Sequence, residues 1–386
     1  METVSRFLTP PSASFFLFGP RGTGKSTWIK QRFPKSLYLD LLDPETLRLH
    51  QARPERLREF VAASESPQTF VVDEVQKAPE LLSVVHSLIE EKRGHRFILT
   101  GSSARKLKRT GSDLLAGRAS LQTLHPFMAA ELEGRFDLGL ALKRGLLPLV
   151  WGAANPNDTL RTYAALYLRE EVQQEGLVRN IGNFSRFLES MAFSHASLLN
   201  ISNVARDCAV ERKTVEGYLA ILEDLLLSFT IPVFTKRAKR GLAGHPKFYY
   251  FDAGVFRSLR PSGPLDRPEE AEGLALEGLV AQHLRAWASY GGGKQTLSFW
   301  RTHSGTEVDF VVYGPDGFWG IEVKHASKIL DKDLKSLRSF LEDYPEAKAL
   351  FLYQGKERLK KGKILCLPAG DFLIQLKPGR RLDAEI

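Results

Sequence analysis

Eight consecutive residues, Gly19-Pro20-Arg21-Gly22-Thr23-Gly24-Lys25-Ser26, carry the spacing G-x-x-x-x-G-K-[ST]. Glycines at this spacing let the backbone curl until its N–H groups face a phosphate, and a helix beginning at the lysine adds its dipole to the same anion site. Lys25 has the length and charge to reach the β- and γ-phosphates of a nucleoside triphosphate. The Ser26 hydroxyl suits Mg²⁺, and Thr27 completes the nucleotide-binding set. Downstream, Phe70-Val71-Val72-Asp73-Glu74 is an apolar run ending in two acids. At the carboxyl edge of a parallel sheet Asp73 would contact Mg²⁺ through water, and Glu74 would activate a hydrolytic water. Ser102, or alternatively Thr100, is placed at another strand end to sense a γ-phosphate. Arg118 in Leu-Ala-Gly-Arg, or Arg105, could stabilise transition-state charge in the same chain or in a neighbouring subunit of a homo-oligomer.

A second constellation lies far downstream. Glu307-Val308-Asp309 and Glu322-Val323-Lys324 fall on two successive strand-like runs. Side chains alternate faces along a strand, so Glu322 and Lys324 point the same way, and a turn at Gly314, Pro315 and Gly317 would bring Asp309 beside them. Two carboxylates and an amine suit Mg²⁺ and activation of a water against a phosphodiester. Glu277, on a preceding helix, could complete the ligand set. The charges interrupt apolar strands, where an unpaired charge is costly.

These groups need elements to position them. Residues 1–152 alternate apolar runs (15–18, 36–40, 69–73, 96–100) with helix-period segments such as 80–93, the pattern of an α/β parallel sheet covered on both faces. Residues 153–260 read as mainly helical. Within them, 201–208 and 212–219 have helix-turn-helix spacing, with Thr214 near the start of the second helix. Two strand-like runs follow, 229–234 and 247–251, around Thr235-Lys236-Arg237-Ala238-Lys239-Arg240-Gly241. A basic hairpin tip in that place reads as the wing of a winged helix able to touch phosphates. Residues 265–378 read helix, three strands, helix, strand: a third, small α/β module. Breaker-rich segments at 152–158 and 260–268 separate the three, and both are expected to be loops.

Composition limits the classes. The chain has 386 residues, long enough for two or three domains of about 100–200 residues. With 43% hydrophobic and 26% charged residues it can build cores and is not a disordered chain. The net charge of +9 suits an anionic partner such as DNA. Two cysteines, Cys208 and Cys366, make neither a disulfide framework nor a four-cysteine zinc site, so a reducing cytoplasm is expected. The start Met-Glu-Thr-Val-Ser-Arg lacks the pattern of a signal peptide. No apolar stretch approaches the ~20 residues that span a bilayer, so no membrane partner is expected.

Together, the chain resembles the prokaryotic family of AAA-type ATPases that join a P-loop domain, a winged helix and a carboxy-terminal restriction-endonuclease-like domain. The resemblance runs over roughly residues 10–375. It rests on Gly19–Ser26, Val72-Asp73-Glu74, Leu99-Thr100-Gly101-Ser102, Leu115-Ala116-Gly117-Arg118, Thr214–Leu225, Lys247–Gly254 and Glu277. It implies ATP and Mg²⁺ as cofactors. The last module is similar to a PD-(D/E)-x-K nuclease core, with Asp309, Glu322 and Lys324 in its catalytic positions; Val308 stands where that motif has proline. The function implied is ATP hydrolysis coupled to DNA binding, with a Mg-dependent nuclease-like module. The alternative is a nucleotide-switched protein that acts on protein partners and does not cleave.

Overall fold

Phe15–Phe18 (β1) is buried at all four positions, as only a strand inside a sheet covered on both faces can be. In the computed structural model, which describes residues 4–64, 66–102, 115–174, 180–236, 244–264, 266–315 and 317–382, β1 lies within a five-stranded sheet. Its companions are β2 (Leu37–Asp40), β3 (Thr69–Asp73), β4 (Arg96–Gly101) and β5 (Ser120–Thr123), in the order β2-β3-β4-β1-β5. All pairings are parallel, so the carboxyl ends share one edge, where Asp40 pairs with Asp73 and Phe18 with Gly101. A parallel sheet with helices is the architecture of a P-loop α/β domain. Helix Leu81–Glu90 shows why it folds this way: Leu81, Leu82, Val85 and Leu88 recur at helical spacing and are buried against the sheet's core, with Phe16, Val72 and Leu99. Each such side chain contributes about 1.5–3 kcal/mol by leaving water.

The chain divides into two compact units. The sheet just described belongs to Leu8–His125 with Ile221–Leu227; the other unit is Met1–Phe7, Pro126–Ala220 and Ser228–Ile386. In the second unit, helix Ile201–Cys208 is capped by the Asn200 side chain, which accepts from Asn203 N, and ends at Ala209 in the left-handed conformation, before helix Arg212–Asp224, of which the residues up to Ala220 belong to this unit. A three-stranded antiparallel sheet follows in the order β6-β8-β7, from β6 (Ser197–Leu198), β7 (Ser228–Ile231) and β8 (Lys247–Tyr250). β7 is shorter than the apolar run 229–234 because Pro232 has no N–H for a ladder. Residues 237–241 of the expected basic tip lie outside the described residues. The segment 152–158 is only partly loop: Asn155 caps a helix, Pro156–Thr162, with proline at its first position, where a missing N–H costs nothing.

The same unit holds a six-stranded mixed sheet, β13-β14-β12-β11-β10-β9. Its strands are β9 (Thr296–Arg301), β10 (Glu307–Gly314), β11 (Gly317–Val323), β12 (Lys348–Tyr353), β13 (Leu359–Lys361) and β14 (Ile364–Pro368). β9, β10 and β11 form an antiparallel meander, while β11, β12 and β14 run parallel. The β9–β10 register shifts between Val308 and Val311, around Asp309. Such a bulge re-aims a side chain. Helix Pro268–Tyr290 carries Glu277, and its Gly278 lies so close to His195 that a Cβ would stand 2.3 Å from the imidazole Nε2. No helix among the described residues is long and apolar enough to cross a membrane.

Candidate nucleotide site and carboxylate cluster

The Gly-rich loop joins β1 to helix Lys25–Arg32, as its spacing requires. Gly22 and Gly24 have φ of 84° and 86°, a region that a Cβ disfavours. At Gly19 a Cβ would stand 2.6 Å from the Leu124 carbonyl oxygen. Lys25 is buried, and its Nζ donates to the Gly19 and Pro20 carbonyls at 2.7 and 3.4 Å. Thr23 Oγ1 also donates to Pro20 O, at 2.8 Å, while Arg21 and Thr27 are exposed.

Asp73 ends β3 and is buried. Ser26 Oγ donates to its Oδ2 at 2.9 Å, Tyr38 donates to the same oxygen, and Thr100 donates to Oδ1. Burial first, then the hydrogen bond to Asp73, pushes the Tyr38 hydroxyl far above its ordinary range. Glu74 follows in the left-handed conformation, φ 60°. Its backbone N–H donates to Thr100 Oγ1 at 3.1 Å, and Gln76 donates from its side-chain amide to the Glu74 carboxylate. Ser102 is buried just past β4. Arg118 is exposed and forms an ion pair with Glu90, holding that carboxyl below its usual range. Arg105 lies outside the described residues. The structure brings Ser26 to Asp73 and adds Tyr38 and Gln76, which sequence reasoning did not name; the tyrosine near Asp40 was the one signal available for the former.

The second constellation also comes together, around a lysine that sequence reasoning did not assign to it. Lys247, the first residue of β8, is 1% exposed. Its Nζ lies 3.0 Å from Glu277 Oε1, 2.5 Å from Glu307 Oε1 and 3.2 Å from Asp309 Oδ1. Tyr249 OH donates to Glu277 Oε1 at 2.7 Å, Arg301 Nη1 to Glu307 Oε2 at 2.7 Å, and Val323 N to Asp309 Oδ2 at 2.9 Å. Glu322 Oε1 pairs with Lys324 Nζ at 2.9 Å, but Glu322 Oε2 is buried without a partner. Burial and the Asp309 charge push both Glu277 and Glu322 above the usual carboxylate range. Burial opposes the charged form of Lys247, yet Glu277, Asp309 and Glu307 outweigh it and hold the ammonium well above its ordinary value.

The two metal positions differ in fit. Ser26 and Asp73, already in contact, suit a hard cation beside a triphosphate. At the second constellation the expected set of Glu277, Asp309 and Glu322 is arranged around lysines instead of standing open. Among the described residues no three His, Cys, Asp or Glu are grouped so as to hold a metal ion.

Comparison with known proteins matches three consecutive segments of the chain. Residues 12–133 match the model described as an AAA domain, and with the parallel sheet and the loop geometry they form an AAA-type P-loop domain. Residues 135–266 and 272–372 match two models that are each described as a domain of unknown function. Uncharacterized proteins of Mycobacterium bovis and Mycobacterium tuberculosis are each 27% identical over 365 residues, spanning 92% of this chain and 80% of the relative. Among solved structures, the replication initiator DnaA bound to AMPPCP and single-stranded DNA is 13% identical, with a TM-score of 0.26 over 56% of this chain and 83% of that one. Drosophila ORC bound to AT-rich DNA and Cdc6 is 10% identical, with a TM-score of 0.20 over 64% and 84%. Likenesses this slight assign no function to the chain.

Proposed function

We propose that the protein binds and hydrolyses Mg-ATP at the Gly19–Ser26 loop and uses the nucleotide state to control a DNA contact made by its helix-turn-helix segment. The observation that carries the hydrolytic part is Asp73 at the carboxyl edge of the sheet, in contact with Ser26 beside a buried Lys25. Lys25 exchanges the carbonyls of Gly19 and Pro20 for phosphate oxygens. Ser26 and Asp73 would hold Mg²⁺, which when bound neutralises charge on the β- and γ-phosphates. Glu74 orients and deprotonates the attacking water once its carboxylate leaves Gln76, and Ser102 or Thr100 reads the γ-phosphate. Arg118 can serve in trans only after leaving Glu90.

The DNA part is supported by the paired helices with their antiparallel strands, by the basic residues that follow β7 and by the net charge of +9. In this reading residues 153–260 act as a winged helix and 265–378 as a nuclease-like scaffold that does not cleave, because Asp309 is held by Lys247 and Glu322 pairs with Lys324. Cleavage by that set is the competing reading. Supercoiled plasmid with Mg²⁺ or Mn²⁺ separates the two: nicking by the native chain that Asp309→Ala abolishes would establish the nuclease. For hydrolysis, Lys25→Ala should abolish tight Mg-ATP binding, and Glu74→Gln should keep ATP and lose turnover. Unchanged affinity in a folded Lys25→Ala chain removes the assignment.

A further inference from the structure

The carboxylate cluster contains a cation of its own. Three carboxylate oxygens, from Glu277, Glu307 and Asp309, converge on Lys247 Nζ within 3.2 Å. The ammonium donates to Glu277 and Asp309 and is also ion-paired with Glu307. Taking that charge out of water costs several kcal/mol unless the surroundings replace the lost hydration, and here three acids do so. The supply is built into the backbone: Lys247 and Tyr249 stand two residues apart on β8, hence on one face, and both reach Glu277. The outer oxygens of Glu307 and Asp309 are taken by Arg301 and by the Val323 N–H, so these two carboxylates are fixed from both sides.

Charge and position then define what the ammonium stands in for. With all groups ionised, Lys247, Arg301 and Lys324 face Glu277, Glu307, Asp309 and Glu322, which leaves a single negative charge. Without Lys247 the Glu277, Glu307 and Asp309 oxygens lose the cation that they share. The β10–β11 register, continued one step from Phe310 and Ile321, sets Glu322 opposite Asp309 on the same face, and its buried Oε2 has no partner. A further hard oxygen therefore stands beside the three that Lys247 holds.

We propose that Lys247 is the resident cation of this cluster and masks a latent divalent-cation site. The native chain takes up no Mg²⁺ or Mn²⁺ through Glu277, Glu307 and Asp309. Removing the ammonium converts these carboxylates into an oxygen-ligand site for one such ion.

The test is Mn²⁺ binding to the nucleotide-free full-length chain, followed by the electron paramagnetic resonance signal of free Mn²⁺. The native chain and Asp309→Asn should bind alike. Lys247→Ala should bind one additional Mn²⁺, with a gain in affinity of about tenfold or more, and Lys247→Ala combined with Asp309→Asn should lose it. An ion that the native chain binds and Asp309→Asn releases overturns the proposal, as does a folded Lys247→Ala chain with no added site. If Lys247→Ala is unfolded without metal, Mn²⁺ should restore a cooperative thermal transition; failure to restore it also overturns the latent site.

Discussion

Asp73 receives three hydroxyls, and Tyr38 is the one whose removal leaves the others in place. A hydrogen bond to a charged group contributes about 1.5–3 kcal/mol, so Tyr38→Phe should lower the stability of the nucleotide-free chain by about that much. The deficit should shrink with saturating Mg-ATP, when Asp73 gains another partner; urea unfolding with and without nucleotide checks it. Glu322 gives a pH test. Its carboxyl is raised to about 8 by burial and by Asp309. An acid whose folded pKa lies above its unfolded value adds most stability when protonated, and that advantage is lost as pH rises from the unfolded pKa to the folded one. Glu322→Gln should therefore gain on the native chain between pH 5 and 8, by at most about 1.4 kcal/mol per pH unit. A difference that does not change across that range removes Glu322 as the titrating group. The loop holding Lys25 and Ser26 was legible because its spacing is local, and Asp73 because an apolar run that ends in acids marks the end of a strand. Lys247 was not: at the edge of an apolar strand a lysine reads as a solvated end, and its three partners lie 30 to 62 positions away.

At the scale of elements, close approach decides what a glycine is for. Gly278 brings helix Pro268–Tyr290 against His195, and a Cβ there would stand 2.3 Å from the imidazole. Gly278→Ala should destabilise by about 1–3 kcal/mol through overpacking. Gly217 in helix Arg212–Asp224 has nothing within 4 Å of its Cβ position and is exposed. The same substitution there should stabilise by about 0.4–1 kcal/mol, because it narrows the unfolded ensemble. Opposite signs in urea denaturation are the expected outcome, and equal signs would count against the packing assigned to Gly278. Four strands of the parallel sheet were legible, since uninterrupted apolar runs bounded by turns mark buried strands, whereas the edge strand Ser120–Thr123 is polar at alternate positions and partly exposed and gave no such run. β13 was not legible, because a three-residue polar edge strand carries no period-2 signal; β14 is itself an apolar run, Ile364–Pro368, and was overlooked although it carried the same signal as the buried strands. Helix Pro156–Thr162 was hidden by Asn-Pro, which marks a turn as readily as a helix start.

At the scale of the whole chain, the Pro-rich segment 260–268 suggested a boundary, yet residues on either side of it are packed together. Lys247 and Tyr249 bind Glu277, and His195 meets Gly278, within one compact unit. Composition marks a loop but cannot reveal that the strands before it and the helix after it share buried charges. The proposed DNA surface must therefore be tested on the intact chain. Its excess charge of +9 is spread over 386 residues, so only a local concentration can neutralise several phosphates at once. The segment containing Lys236, Arg237, Lys239 and Arg240 offers one. Lys236 itself is described, exposed and 4.3 Å from the Tyr313 ring centre; residues 237–241 lie outside the described residues. Each phosphate no longer neutralised should reduce the slope of log affinity against log salt by about 0.9 on duplex DNA. Changing all four residues to glutamine should thus weaken binding at low salt, flatten the slope and leave DNA-independent ATP turnover unaltered. Fluorescence anisotropy over a salt series checks the first two effects and a phosphate-release assay the third. An identical slope before and after would place the DNA surface outside this segment. A flattened slope together with the disappearance of DNA-stimulated turnover would link the basic segment to the Lys25 site, the coupling on which the proposed function depends.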